Sequence, residues 1–151
     1  MRGEPLFREH GTQAAALCWR LNPGLEILLI TSRNSKRWIV PKGWLMADLG
    51  PAESAAREAM EEAGITGDIS QEPLGTFYYL KEKKDGSVVA CSVDVFSLHA
   101  TGQQTDWPEK GTRELMWLSP DQAAMRVAEP GLRRILQDFA RNAPAIARRA
   151  G

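Results

Sequence analysis

Apolar residues along this chain fall into short runs divided by turn-forming residues, a pattern typical of a sheet with few helices. The first two runs, 14–20 and 25–32, predict strands, and the Asn22-Pro23-Gly24 tripeptide between them predicts a turn. Residues 37–40 resume extended structure before a glycine- and proline-containing loop at 41–51. We therefore expect the first third of the chain to be built mainly from strands.

The clearest helix follows at residues 52–63, which are mostly good helix formers. Pro51 suits the first helical position, where its missing N–H leaves no hydrogen bond unmade. Gly64 is placed to cap the carboxyl end of this helix. Alanines recur at every fourth position, namely at Ala55, Ala59 and Ala63. Such a face of small residues can lie close against a sheet.

The rest of the chain is predicted to contain further strands followed by helices. Strands are predicted at 74–81, 88–99 and 114–118, and helices from Ser119 and from Glu129 to about Arg141. Residues 83–86 suit a hairpin turn between the first two of these strands. This order favours the α/β class, as an α/β/α sandwich with a mixed, largely antiparallel sheet, over a strict βαβ repeat.

Length and charge limit the kinds of protein that this chain can be. A chain of 151 residues is expected to form a single domain, with a loose arm at 1–11 and a frayed tail at 142–151. Acidic and basic side chains balance at 19 each, which argues against a nucleic-acid binder with a broad basic surface. No protein partner is evident, and a homodimer is compatible with the sequence.

Cysteine usage and hydropathy bear on location. Cys18 and Cys91 lie in apolar runs, which favours two buried thiols in a reducing compartment over a disulfide. No run approaches the roughly 20 apolar residues that span a bilayer. Residues 1–6 have no apolar core of the signal-peptide type. We therefore expect a cytoplasmic protein that does not act in a membrane.

Three carboxylates, Glu58, Glu61 and Glu62, fall within five residues of the predicted helix, directly after Arg57. Neighbours at i+3 and i+4 share one helical face, where like charges repel by roughly 0.2–0.5 kcal/mol per pair. A hard divalent cation such as Mg²⁺ or Mn²⁺ would remove that repulsion, because it prefers carboxylate oxygen ligands. Taken alone, the string also fits an acidic face exposed to solvent.

The residues around the acidic string favour chemistry over a solvated face. Gly43 lies fourteen residues before Arg57, and Gly64-Ile65 follow Glu62 after one residue. These offsets resemble the signature of the Nudix hydrolase superfamily, G-x5-E-x7-R-E-U-x-E-E-x-G-U, in which U is aliphatic. The resemblance implies a Nudix-type sandwich whose loop and helix hold a metal that assists hydrolysis of a diphosphate linkage.

The signature is incomplete at two positions. Leu49 stands where the family has a glutamate that helps to orient the site, and Ala59 stands where a larger aliphatic residue is usual. Glu53, which is four residues before Arg57, and Asp48 are candidates to replace the missing carboxylate. The departure at Leu49 also supports an alternative hypothesis, namely a binding module that has the Nudix fold and weakened catalysis.

Segments outside the signature are similar to the diphosphoinositol polyphosphate phosphohydrolase branch, and this resemblance extends over about residues 14–139. The branch acts on diphosphoinositol polyphosphates and diadenosine polyphosphates, whose dense negative charge needs several converging cations. The cations at matching positions are Arg20, Arg33, Arg37, Lys42 and Arg113. A Nudix enzyme with another substrate, such as a nucleoside triphosphate, ADP-ribose or capped RNA, is the alternative.

The resemblance also implies roles for the residues of the acidic string. The expected metal donors are Glu58, Glu61, Glu62 and the backbone carbonyl of Gly43 or its neighbour Lys42. The expected catalytic group is Glu58, Glu61 and Arg57, with Glu58 accepting a proton from the attacking water. Family members also recruit a carboxylate from outside the signature, and the candidates here are Asp94, Asp106, Glu109 and Glu114.

Overall fold

The computed structural model describes residues 10–150, which form one seven-stranded sheet with helices on both faces. The strands are β1 (His10–Leu21), β2 (Leu25–Thr31), β3 (Trp38–Ile39), β4 (Lys42–Trp44), β5 (Ile65–Glu82), β6 (Val88–Gln103) and β7 (Leu115–Leu118). The helices are α1 (Pro51–Ala63), α2 (Pro120–Arg126), α3 (Pro130–Arg141) and α4 (Ala143–Ala150). The predicted α/β/α sandwich is confirmed.

Strand β1 organises the sheet because it has neighbours along both of its edges. The strand order is β3-β2-β1-β6-β5, with β1 and β6 parallel and the other pairs antiparallel. Along one edge, the carboxyl end of β1 pairs with β2 and its amino-terminal half pairs with β4. The chain therefore passes from β3, which pairs with β2, to β4, which pairs with β1, and then continues into α1.

Alternate side chains of β1 enter two separate cores, because successive residues of a strand point to opposite faces. Ala15, Leu17 and Trp19 pack in the core beneath α2 and α3. Ala14, Ala16 and Cys18 pack in the core beneath α1. Cys18 and Cys91 are both buried free thiols, as predicted.

Helix α1 follows the sequence-based expectation at both ends and along its buried face. It begins with Pro51 and ends at Gly64, whose φ of 72° is the left-handed cap conformation. Its buried alanines, Ala52, Ala55, Ala59 and Ala63, lie on the alanines of β1. Because both surfaces consist of small side chains, the helix backbone lies close to the sheet and its flank reaches the end of β4.

Strands β1 and β6 extend about four residues beyond their predicted bounds, and two other strands differ more. Residues 41–51 were expected to be loop throughout, yet 42–44 form β4, because β1 offers them unpaired backbone groups. Strand β5 begins at Ile65 instead of residue 74, since β6 supplies ladder partners from Ile65 to Glu82, with register shifts at Thr66–Gly67 and between Ile69 and Gly75. Except for the partly buried Ile69, residues 66–73 are exposed, so their sequence resembles that of a loop.

The ends of the chain complete the fold. Residues 143–150 form α4 where a frayed tail was expected, because Ile146 packs against the core beneath α2 and α3. Most of the predicted loose arm lies outside the described residues, and its last two residues, His10 and Gly11, already belong to β1. Within residues 10–150, no helix is long and apolar enough to cross a membrane.

Candidate metal and catalytic site

Two glutamates of α1, Glu58 and Glu62, lie against the backbone of β4. The Lys42 N–H donates a hydrogen bond to Glu62 Oε1 at 3.3 Å. The Glu58 carboxylate lies against Gly43, so that a Cβ atom built on Gly43 would be 2.3 Å from Glu58 Oε2. One turn of the helix therefore brings both carboxylates to one short stretch of strand.

The two carboxyl groups share a hydrogen bond and have raised pKa values. Glu62 is only 5% exposed, and burial, followed by the hydrogen bond with Glu58, raises the pKa of its carboxyl to about 9. Burial also raises the pKa of Glu58, and the charges of Glu61 and Glu109 add to this effect. Near neutral pH the buried pair therefore holds a proton at a place that a cation could occupy.

Arg113 is a partner of this pair inside the protein. Its side chain is 8% exposed, and its Nη2 lies 3.8 Å from Glu62 Oε2. Its Nε donates to Glu109 Oε1 at 2.9 Å, and its Nη1 donates to the carbonyl of Thr31 at 3.0 Å. The sequence predicted Arg113 to bind substrate, but its guanidinium is buried and turned towards protein acceptors.

The ladder between β4 and β1 indicates which backbone carbonyl is free to bind a metal. Leu45 N donates to Thr12 O, and Ala16 N donates to Pro41 O. Gly43 lies midway between these two hydrogen-bonded positions, so both of its backbone groups point towards β1. The backbone groups of Lys42 point the other way, towards Glu62. Of the two predicted carbonyl donors, the geometry therefore favours Lys42 over Gly43.

Other residues predicted from the signature lie farther from the pair. Glu61 is half-buried, and its charge contributes to the raised pKa of Glu58. Arg57 is exposed on α1. Glu53 is exposed and accepts a hydrogen bond from Gln71 at the start of β5, and Asp48 is exposed in the loop before α1. Neither of the last two carboxylates makes a hydrogen bond with Glu58 or Glu62 in this structure.

Of the four candidate carboxylates outside the signature, Glu109 lies in the site. Its charge raises the pKa of both Glu58 and Glu62. Asp94 accepts a hydrogen bond from Thr76 on the neighbouring strand, while Asp106 and Glu114 are exposed. The sequence could not choose among the four, because the choice depends on how the loop before β7 docks on α1.

The predicted cations lie in different surroundings. Arg20 stacks on the Trp117 ring at 4.0 Å and pairs with Glu26 at 2.8 Å, so it is engaged within the fold. Arg33 lines a small cavity of about 170 Å³ that Arg113 also lines. The Arg37 side chain is 62% exposed and lies 3.9 Å from Glu129.

Lys42 belongs to a polar cluster on the opposite face of the sheet from α1. Its Nζ donates to the Tyr79 hydroxyl at 2.8 Å, and that hydroxyl donates to Gln13 Oε1 at 2.8 Å. Burial lowers the pKa of Lys42, and the charge of Lys81 lowers it further. Sequence reasoning missed Gln13, Tyr79 and Lys81. The one available signal was Gln13, a polar residue at the head of an apolar run.

A larger cavity of about 570 Å³ lies elsewhere, between the far end of the sheet and helices α3 and α4. Trp19, His99 and Phe139 are among its lining residues, and its one acidic residue is Asp138. Among the side chains that the structure describes, no lysine or arginine lines it. Its described lining therefore offers a polyphosphate no cation, unlike the surroundings of β4.

The acidic site has donors that suit Mg²⁺. Among residues 10–150, no three His, Cys, Asp or Glu side chains converge as a complete ligand set. Mg²⁺ does not need one, since it usually keeps several waters and binds one or two carboxylates. Glu58 and Glu62, which share a proton, and the inward-facing carbonyl of Lys42 supply oxygen donors of this kind.

Comparisons with known proteins point to one protein family. The family model described as the NUDIX domain matches residues 11–139. Nudix hydrolase 12, mitochondrial, of Arabidopsis thaliana is 33% identical over 120 residues, covering 78% of this chain and 59% of that protein. Diphosphoinositol polyphosphate phosphohydrolase 3-alpha of Mus musculus is 36% identical over 98 residues, covering 64% of this chain and 56% of that protein. The chain thus spans under two thirds of the length of these relatives.

A solved structure supports the fold. The crystal structure of C. elegans Ap4A hydrolase superposes with a TM-score of 0.61 at 21% identity, over 86% of this chain and 96% of that one. At this identity the likeness concerns the arrangement of strands and helices alone.

Proposed function

The chain belongs to the NUDIX domain family, and from this premise we propose that it hydrolyses a phosphoanhydride linkage in a small polyphosphorylated molecule with the help of Mg²⁺ or Mn²⁺. The observation that carries the proposal is the buried pair Glu58 and Glu62, which shares a hydrogen bond against the backbone of β4. A surface helix gains no stability from two carboxyl groups buried side by side. Their placement therefore favours a site that a cation completes.

We assign different roles in metal binding and proton transfer to the residues of this site. Glu58, Glu62 and the Lys42 carbonyl would hold the metal, which when bound polarises a phosphoryl oxygen and lowers the pKa of a bound water. Glu58 is the less buried of the two carboxylates, so it can accept the proton of the attacking water. Glu61 and Glu109 add negative charge around the pair and so strengthen cation binding.

Cations near β4 suit a polyphosphorylated substrate. The Lys42 ammonium lies on the opposite face of β4 from the acidic pair, within the field of Lys81, and the exposed Arg37 guanidinium is free to turn from Glu129. Arg33 and Lys36 form a further basic group at the turn after β2. These cations could therefore neutralise phosphates of the substrate that lie away from the bound metal.

The proposal of two substrate classes is based on the names of two similar proteins. A mouse relative is named a diphosphoinositol polyphosphate phosphohydrolase, and a C. elegans protein of similar fold is named an Ap4A hydrolase. We propose the same two classes, diphosphoinositol polyphosphates and diadenosine polyphosphates, for this chain. The cytoplasmic location stays a prediction, and the Arabidopsis relative is named as mitochondrial.

The test is release of phosphate or nucleotide from a substrate panel, with Mg²⁺, with Mn²⁺ and with a chelator. The panel contains diphosphoinositol polyphosphates, diadenosine polyphosphates, nucleoside triphosphates and ADP-ribose. Metal-dependent turnover of the first two supports both the activity and the substrate class. Turnover of the other two alone supports a hydrolase and rejects the substrate class. A folded protein that binds metal but hydrolyses none of these substrates would reject the proposed activity. That result would support the alternative suggested by Leu49, a binding module with the Nudix fold.

A further inference from the structure

The last residue of β6 and the loop before β7 are fastened to the end of α1 at three points. Gln103 Nε2 donates to Ala63 O at 3.0 Å, Gln104 N to Gly64 O at 2.9 Å, and Glu109 N to Glu61 O at 3.0 Å. These bonds use backbone carbonyls that an isolated helix end would leave unpaired. The loop therefore moves with the helix that carries Glu58 and Glu62, and Glu109 has a fixed position beside them.

Arg113 connects this loop with the sheet and with the acidic pair. Its three contacts go to Glu109 on the loop, to the Thr31 carbonyl at the end of β2, and to Glu62 on α1. Two further bonds hold the same junction, since Glu114 N donates to Thr31 Oγ1 and Thr31 N donates to Glu114 O. Few orientations of a planar guanidinium satisfy three acceptors at fixed positions, so the Arg113 side chain is held rigidly.

The contact between Arg113 and Glu62 matters because, apart from Glu58, no polar side chain of α1, or of the loop that leads into it, holds the Glu62 carboxylate in place. Leu49 is apolar, Arg57 is exposed, and the nearby Glu53 bonds to Gln71. None of these side chains can hold Glu62 in place by a polar contact. Arg113 instead reaches the Glu62 carboxylate from the loop before β7, about fifty residues later in the chain.

We propose that Arg113, anchored by Glu109, is the positioning residue that orients Glu62 for metal binding. The inference rests on the proposed function, because it concerns the same site. Arg113 acts through Glu62 and touches neither the substrate nor the reacting water. Its charge offsets part of the carboxylate repulsion, and its fork fixes the direction in which Glu62 presents its oxygens.

The experiment separates positioning from simple charge. Arg113→Lys keeps the positive charge but loses the fork that reaches Glu62, Glu109 and Thr31 together. Mn²⁺ affinity is measured on the apo protein by electron paramagnetic resonance of free Mn²⁺, alongside kcat and KM. Positioning predicts a Mn²⁺ Kd raised about tenfold or more and a lower kcat, with KM little changed. Arg134→Lys, on the exposed side of α3, is the matched control and should equal the unmodified protein.

Glu109→Gln supplies an independent arm if Arg113→Lys folds poorly. The Glu109 charge also strengthens cation binding directly, so anchoring predicts that Glu109→Gln lowers Mn²⁺ affinity less in the Arg113→Lys background than in the unmodified protein. Full Mn²⁺ affinity in Arg113→Lys, or additive losses in the double variant, would overturn the proposal. Since Mn²⁺ binding needs no substrate, failure of the proposed reaction would show as absent turnover at normal Mn²⁺ affinity and is distinguishable.

Discussion

Gly43 lies so close to Glu58 that a methyl group on its Cα would come within 2.3 Å of the Glu58 Oε2 atom. The carboxylate thus occupies the space in which any other residue at position 43 would place its side chain. Gly43 owes its place to this close approach, and a requirement for positive φ is not involved. The first residue of the sequence signature is therefore glycine because the Glu58 carboxylate fills the space that a side chain would need.

Gly43→Ala should move Glu58 away from β4 and separate it from Glu62. We expect metal affinity and turnover to fall by at least about tenfold, as for other groups that orient metal ligands. Isothermal titration with Mn²⁺ measures the first effect, and the substrate assay measures the second. Gly24→Ala is the matched control, because nothing lies within 4 Å of its Cβ position. Equal behaviour of the two variants would refute the close packing of Gly43 on Glu58.

Glu62→Gln keeps the shape of the side chain and removes its ability to become an anion. We expect turnover to fall by at least about 100-fold while the protein remains folded, because a metal ligand is lost. Circular dichroism checks the fold. Glu72→Gln, on an exposed part of β5, controls for the loss of one negative charge. Undiminished turnover in Glu62→Gln would remove this residue from the site.

The raised pKa of Glu62 predicts how the stability of the metal-free protein depends on pH. The carboxyl ionises near 4.5 in the unfolded chain but holds its proton to about 9 in the folded protein. Between these values the unfolded state binds fewer protons, so the free energy of unfolding falls as the pH rises. Urea unfolding in the presence of a chelator at pH 5, 7 and 9 measures this slope.

Other groups also titrate in that range, so the informative quantity is the difference between the unmodified protein and Glu62→Gln. The glutamine variant should lose less stability between pH 5 and pH 9. Metal binding should conversely strengthen over the same range, because the metal must displace the shared proton. Parallel pH profiles for the two proteins would contradict a buried, protonated Glu62.

Lys42 is predicted to contact substrate phosphate through its ammonium group. Lys42→Met keeps most of the side-chain length, and we expect KM to rise about tenfold, since a charge-assisted hydrogen bond contributes about 1.5 kcal/mol or more. The effect on kcat should be smaller, because the side chain lies on the face of β4 away from Glu58. Lys84→Met, in the exposed hairpin turn, is the control. A lowered kcat at constant KM would assign Lys42 to the chemical step instead.

Gly64 ends α1 in the left-handed conformation and also supports Trp107 of the loop before β7. Gly64→Ala should destabilise the protein by more than the roughly 1–2 kcal/mol expected from the positive φ alone, because its Cβ would lie 2.4 Å from the Trp107 ring. Gly86→Ala has a similar φ of 89° with open space around it and isolates the backbone effect. Thermal unfolding compares the two variants. Equal losses of stability in the two variants would show that the Trp107 ring moves aside without a measurable loss of stability.

The sequence by itself determined the local features of this protein. Pro51, Gly64 and the alanine spacing predicted α1 correctly, because helix boundaries and faces depend on residues that are near one another along the chain. The spacing of Gly43, Glu58 and Glu62 located the acidic site for the same reason. The sequence did not predict strand β4 or the first half of β5, because their backbone partners are distant in sequence and their side chains are partly exposed.

Only the tertiary structure decided which distant groups join the site. Arg113 and Arg37 look alike in the sequence, yet one is buried against Glu62 and the other lies in solvent beside Glu129. Glu109 enters the site because its loop docks on the end of α1, while Asp94 faces a neighbouring strand. Burial and charge partners depend on packing between elements far apart in the chain, and periodicity and spacing within one element carry no information about that packing.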